Sequence, residues 1–159
     1  MKILIETIPH KEQRYETVGD WQWVRQHEYR AANIWNAEQH CTHCTGTPRE
    51  NEAIGGECPD APPTLRICVS QMSELRYEWL VAIHELVEAI LCEKAGITPA
   101  QVDEFDMNYS PQVGDPVEPG DSSFAPYHRQ HRFASIVEEL VAMELGVDWN
   151  SYSSEVNSL

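Results

Sequence analysis

The chain has 159 residues, enough for one compact domain with its own core, and a hydrophobic content of 42% argues against wholesale disorder. Acidic residues number 26 against 11 basic ones, a formal net charge of −15, and no stretch gathers Lys or Arg. Such a surface repels phosphate backbones and argues against nucleic-acid binding, whereas a basic partner, a metal ion at clustered carboxylates, or plain solubility all suit it.

At the N-terminus, KILIETI (residues 2–8) is rich in β-branched side chains and ends at Pro9, which predicts a strand. This apolar run is too short for a secretion signal and acidic residues follow at once. No apolar run approaches the roughly 20 residues that span a bilayer, so a cytoplasmic protein off the membrane is expected. A second extended segment, KEQRYETVGDWQWV, is expected around a turn at Gly19-Asp20, and residues 25–39 suit a short helix. Residues 40–63, rich in Cys, Gly and Pro, form an excursion from a single domain spanning 1–159.

LRICVSQ (65–71) alternates Leu65, Ile67 and Val69 with Arg66, Cys68 and Ser70, the period of a half-buried strand. Ser73-Glu74 can open a helix running from about residue 74 to 95 and stopped by Gly96. Thr98 as cap and Pro99 at the first helical position start a short helix, AQVDEFD. The Pro- and Gly-rich segment 110–126 is a long surface loop, either a lid or a linker. A final helix covers about 127–145 and stops at Gly146, and the tail is expected to pack through Trp149 and then fray. These elements predict an α+β fold, a small, mainly antiparallel sheet packed on two to three helices.

Between Trp79 and Cys92 only His84, Glu85 and Glu88 are polar. At roughly 100° per residue, His84 and Glu88 share a helix face and Glu85 lies beside them. Tyr77 and Val81 lie above this patch, and Leu91 and Cys92 below it. A solvent-facing stripe would continue along the helix. A closed island of two carboxylates and an imidazole instead suggests a partly buried site, where a divalent cation offsets both the burial of charge and the repulsion between carboxylates. The alternatives are a short exposed face, or a His–Glu pair bonded to another helix.

The strand LRICVSQ followed by WLVAIHELVE resembles the zincin metallopeptidases over residues 65–88, with Glu88 where their H-E-x-x-H motif has its second histidine. Zincins place such a strand beside the substrate cleft. The resemblance implies that His84 is a metal ligand, Glu85 the general base that activates water, and Glu88 the second ligand. Zinc accepts carboxylate oxygen as well as imidazole nitrogen, although a carboxylate also suits Mn2+, Fe2+ or Mg2+. The HE-x-x-E-A helix, a later FD and a PY-x-x-x-H segment are also similar to small uncharacterised bacterial and phage proteins.

A third ligand is expected from the final helix, as in zincins. His131, Ser135 and Glu138 share a face there, with His131 as first choice and Glu138 as second. His128 lies nearer the loop, exposed or touching substrate. Tyr127 can donate to a developing oxyanion. Asp103 is expected to complement its helix N-terminus, and Asp106 to be exposed or to orient a ligand imidazole. In HCTHC, Cys41 and Cys44 form C-x-x-C, and Cys58 follows. With one histidine, His43 the candidate, they suit a structural zinc, a redox dithiol or surface thiols. Cys68 and Cys92 are read as small core residues. An odd total of five cysteines fits a reducing compartment.

The expectation is a Zn2+-dependent, zincin-like hydrolase acting on a peptide or protein. The alternatives are a helical metal-dependent nucleotide or phosphoester hydrolase, and a non-catalytic metal-stabilised binding protein.

Overall fold

The computed structural model describes residues 2–15, 17–27, 41–44, 57–116 and 118–159. Its elements are β1 (Lys2–Ile8), β2 (Gly19–Val24), β3 (Thr64–Ser70), α1 (Leu75–Ala95), α2 (Pro99–Asn108), α3 (His128–Glu144) and α4 (Trp149–Val156). The helix expected over 25–39 falls largely outside the described residues, and Gln26 instead forms an antiparallel bridge with Glu57. No helix among the described residues is long and apolar enough to cross a membrane.

The strands form one three-stranded sheet in the order β1-β3-β2. The end of β1 meets the end of β3, where the Gln71 N–H donates to Ile8 O at 2.8 Å, so this pair is parallel. The start of β2 meets the end of β3, Ser70 N–H donating to Val18 O at 2.8 Å, so this pair is antiparallel. The sheet is therefore mixed rather than mainly antiparallel. Its central strand is also more deeply buried than its alternation suggested. Cys68 and Ser70 are buried along with Leu65, Ile67 and Val69, because β3 is flanked on both edges and covered on both faces.

The chain divides into two compact units, residues 1–4 with 23–66 and residues 5–22 with 67–159. In the first, Cys58 N–H donates to Arg25 O at 2.7 Å, and a small buried cluster holds Cys41, Cys58 and Ala61 with Cys44 at its edge.

In the second unit, local chemistry sets the helix boundaries. Gly96 ends α1 in the left-handed conformation (φ 75°), with Ile97 N–H returning to Cys92 O at 2.9 Å. Thr98 and Gln101 form a capping box ahead of α2. The tail does not fray. Asp148 accepts from Ser151 N–H at 2.8 Å to open α4, which packs through buried Tyr152. Asp103 does not serve its helix terminus, since it pairs with Arg14 at 3.0 Å, and the same guanidinium clamps Asp20 at 2.9 and 3.0 Å. Gly19 begins β2 rather than forming a turn.

The contact that builds the site is between α1 and α3, the most extensively packed pair of helices. Along α1, Tyr77, Val81, His84, Glu88 and Cys92 are buried at helical spacing; along α3, His131, Ala134, Glu138 and Ala142 are buried. Polar side chains from both helices meet across this contact.

Candidate metal centre

Three atoms converge between the helices. His84 Nε2 lies 3.1 Å from His131 Nδ1, His131 Nδ1 lies 3.0 Å from Glu88 Oε2, and His84 Nε2 lies 3.6 Å from Glu88 Oε2. Tetrahedral zinc with bonds of roughly 2.05 Å sets its ligand atoms roughly 3.3 Å apart, and the three separations bracket that value. An imidazole nitrogen carries one proton or one lone pair, never both. His131 Nδ1 faces two partners and, unaided, can satisfy one of them. A cation at the common point satisfies all three, so the cluster could hold a metal ion.

The surroundings orient these groups. His84 Nδ1 lies 2.8 Å from Glu138 Oε2, and Tyr152 OH donates to the other oxygen of Glu138. A proton on Nδ1 shared with Glu138 leaves Nε2 unprotonated towards the triad, the tautomer a metal requires. Glu138, the expected second-choice ligand, thus stands behind His84 and not beside the three converging atoms. Trp21 Nε1 donates to Glu88 Oε1 at 3.0 Å, leaving Oε2 to face the histidines. The outer nitrogen of His131 faces Glu118 and Asp121 at 3.6 and 3.8 Å. Gly120 presses on the His131 ring so closely that a Cβ there would stand 2.5 Å from Cγ and Nδ1. Glu138→Gln is expected to weaken metal affinity about 10–100-fold, and Tyr152→Phe by less, measured by competition with a chromogenic chelator. Unchanged affinity in both would remove Glu138 from any orienting role.

Charge in the site follows from burial and pairing. Burial would push the His84 imidazolium down, but its bonds to Glu138 and Glu88 outweigh that and raise it well above 6.5. Burial would raise Glu88, but His131 and His84 hold it at about 2. Glu85 has no such partner. Burial first, then the charge of Glu88, raises it well above 4.5, and it makes no hydrogen bond to another described side chain. Its carboxylate packs under the backbone of β2, where a Cβ at Gly19 would stand 2.5 Å from Glu85 Oε1.

A cavity of about 650 Å3 opens onto these residues. Besides the site residues it is lined by Asp20, Asp103, Asp106, Glu118 and Asp121, and no Lys or Arg lines it among the described residues. The strand along the cavity is β2, through Gly19, Asp20 and Trp21, and not β3, which the sequence placed there. Tyr127 lines the cavity, but its hydroxyl donates to Asp106. Burial raises Asp106 to about 6 despite that bond. Asp106 therefore holds a tyrosine rather than a ligand imidazole. His128 Nδ1 donates to Gly120 O at 3.0 Å and is not one of the three converging residues.

The cysteine candidates fall in the first unit. Cys41, Cys44 and Cys58 gather with His27, and this second group could also hold a metal ion. His43 is not part of it, its Nδ1 lying 3.1 Å from Thr42 Oγ1. Residues that sequence reasoning passed over are Trp21, Tyr152, Glu118, Asp121 and His27. Only His27 left a trace: residues 28–40 separate it from Cys41 as residues 45–57 separate Cys44 from Cys58, equal intervals on either side of the C-x-x-C.

No protein-family model matches the chain, and neither a curated protein nor a solved structure is significantly similar to it. Fold and site together define a small α+β protein, with a mixed three-stranded sheet packed on helices and a buried His/Glu/His cluster. That cluster is consistent with a metal-dependent activity in general.

Proposed function

We propose that this chain is a zincin-like hydrolase of peptide bonds, in which His84, Glu88 and His131 hold zinc and Glu85 is the general base. The observation that carries the reading is the triangle of His84 Nε2, Glu88 Oε2 and His131 Nδ1, with sides of 3.0–3.6 Å, buried between two helices. Its composition, two histidines and a glutamate, is one that catalytic zinc sites use with a fourth position left open. The departure from H-E-x-x-H is thereby compensated: α1 gives up an imidazole for Glu88, and α3 returns one through His131. Net ligand charge is unchanged.

The metal, when bound, supplies Lewis-acid activation of water and carbonyl. Glu85 lines the same cavity, and its raised proton affinity suits a group that takes a proton from water and passes it to the departing amine. The acidic lining favours peptides carrying Lys or Arg, and the lack of Lys and Arg in it among the described residues counts against a phosphoester substrate.

Elemental analysis and a fluorogenic peptide library test this together. Zinc-loaded wild type is expected to cleave basic peptides, and His84→Ala to lose one metal equivalent along with that cleavage. Metal content unchanged in His84→Ala, or a zinc-loaded protein that cleaves no peptide, would refute the proposal.

A further inference from the structure

In the unit formed by residues 1–4 and 23–66, three thiols and an imidazole gather among the described residues. The buried cluster there consists of Cys41, Cys58 and Ala61, with Cys44 packed against it. None of the cysteines forms a disulfide, and Cys41 Sγ and Cys58 Sγ, at 3.8 Å, are well beyond the roughly 2.05 Å of an S–S bond.

These distances match a different linkage. Tetrahedral zinc with Zn–S bonds of roughly 2.3 Å sets two sulfurs roughly 3.75 Å apart, and a sulfur and a nitrogen roughly 3.5 Å apart. Cys41 and Cys58 stand at 3.8 Å, and Cys44 Sγ lies 3.3 Å from His27 Nδ1. All four ligand atoms lie within 4.8 Å of one another. The His43 N–H donates to Cys41 Sγ at 3.4 Å.

We infer that His27, Cys41, Cys44 and Cys58 form a second, structural zinc centre, independent of the one between α1 and α3. Four protein ligands close the tetrahedron and leave no position for substrate, so this centre folds the chain and performs no chemistry. It ties together three separated pieces: the segment at Gln26-His27, the C-x-x-C, and the segment from Glu57-Cys58 that enters β3. The histidine is His27, and His43 inside the C-x-x-C is a bystander.

The thiolate-to-cobalt charge-transfer band reports on this centre alone, because no sulfur belongs to the other triad. The metal-stripped full chain loaded with Co2+ is expected to show a near-ultraviolet thiolate charge-transfer band with intense visible bands of tetrahedral cobalt. His43→Ala is expected to leave that spectrum intact and His27→Ala to shift the visible bands. Cys58→Ser should remove at least roughly a third of the charge-transfer intensity, one thiolate of three. X-ray absorption on zinc-loaded His84→Ala, in which the cysteines are untouched, is expected to show three sulfurs and one nitrogen. A wild type without the charge-transfer band, a sulfur-free zinc shell, or a spectrum that depends on His43 and not on His27 would overturn the assignment. None of these outcomes depends on whether the protein cleaves peptides.

Discussion

Glu85→Gln is expected to keep the metal content of the wild type while slowing peptide hydrolysis by about 10²–10⁴-fold. The substitution is isosteric, so the side chain still fits beneath Gly19, where even a methyl group on the strand would collide with it. It removes the one property the proposed chemistry needs, an oxygen that can take up and return a proton. The fall should appear in kcat, with KM little changed, because Glu85 is not asked to hold substrate. Stability should not suffer, since an ionised carboxylate buried next to Glu88 costs free energy that a neutral amide does not. Steady-state rates and elemental analysis on the same preparation decide the matter. Undiminished kcat would make Glu85 a spectator, and loss of metal would make it a ligand.

Stripped of metal, the protein is expected to be most stable in mildly acidic solution and to weaken in both directions. On the acid side the relevant group is Glu88, which opposing burial would raise but which its bonds to His131 and His84 hold at about 2 in place of 4.5. A carboxylate with a depressed folded value stabilises above 4.5 and loses that contribution as pH falls towards the folded value, of order 3 kcal/mol in all. On the alkaline side two groups act together. Glu85, raised by burial and by Glu88, binds its proton more tightly when folded, so stability declines as pH rises above 4.5 through its folded value. His84, raised despite burial by Glu138 and Glu88, contributes fully below 6.5, and that contribution is lost as pH rises through its folded value.

Metal binding runs the other way, because His84 must surrender the proton on the triad side before it can ligate. Denaturant titrations of the stripped protein across pH, beside Glu85→Gln, test the account. The variant is expected to have a shallower alkaline limb and the same acid limb. A stripped protein whose stability climbs steadily into alkali, or a variant with an unaltered profile, would show that these carboxylates do not control it.

The parts of the fold that were readable in the sequence are those set by neighbours along the chain. Gly96 stops α1 because its left-handed backbone suits a residue without Cβ, and Thr98, Pro99 and Gln101 start α2 through their own side chains and φ angle. The island of His84 and Glu88 on α1 was likewise legible, because helical period alone puts them on one face and flanks them with Tyr77, Val81 and Cys92. The α4 cap was legible too and was passed over: Asp148 with Ser151 three residues on is a helix start, not a fraying tail.

What stayed hidden depends on contacts between distant residues. Nothing near Trp21 in the chain announces that its indole will hold Glu88, and nothing near Tyr152 that its hydroxyl will hold Glu138. Gly19 looks like a turn residue until Glu85 is found beneath it. The direction of β1 against β3 depends on which chain ends meet, so the sheet came out mixed. His43 sits inside the C-x-x-C, yet His27 gathers with the thiols, because the fold and not proximity along the chain sets which side chains meet.

The sequence by itself therefore determined a helix with one buried polar turn and the residue types a metal needs, since both follow from composition and a 3.6-residue period. Only the tertiary structure decided that His131 closes the triangle while Glu138 stands behind His84. That choice is made where α3 packs on α1, because the pairing of side chains across two helices depends on how their faces meet and not on the order of either sequence.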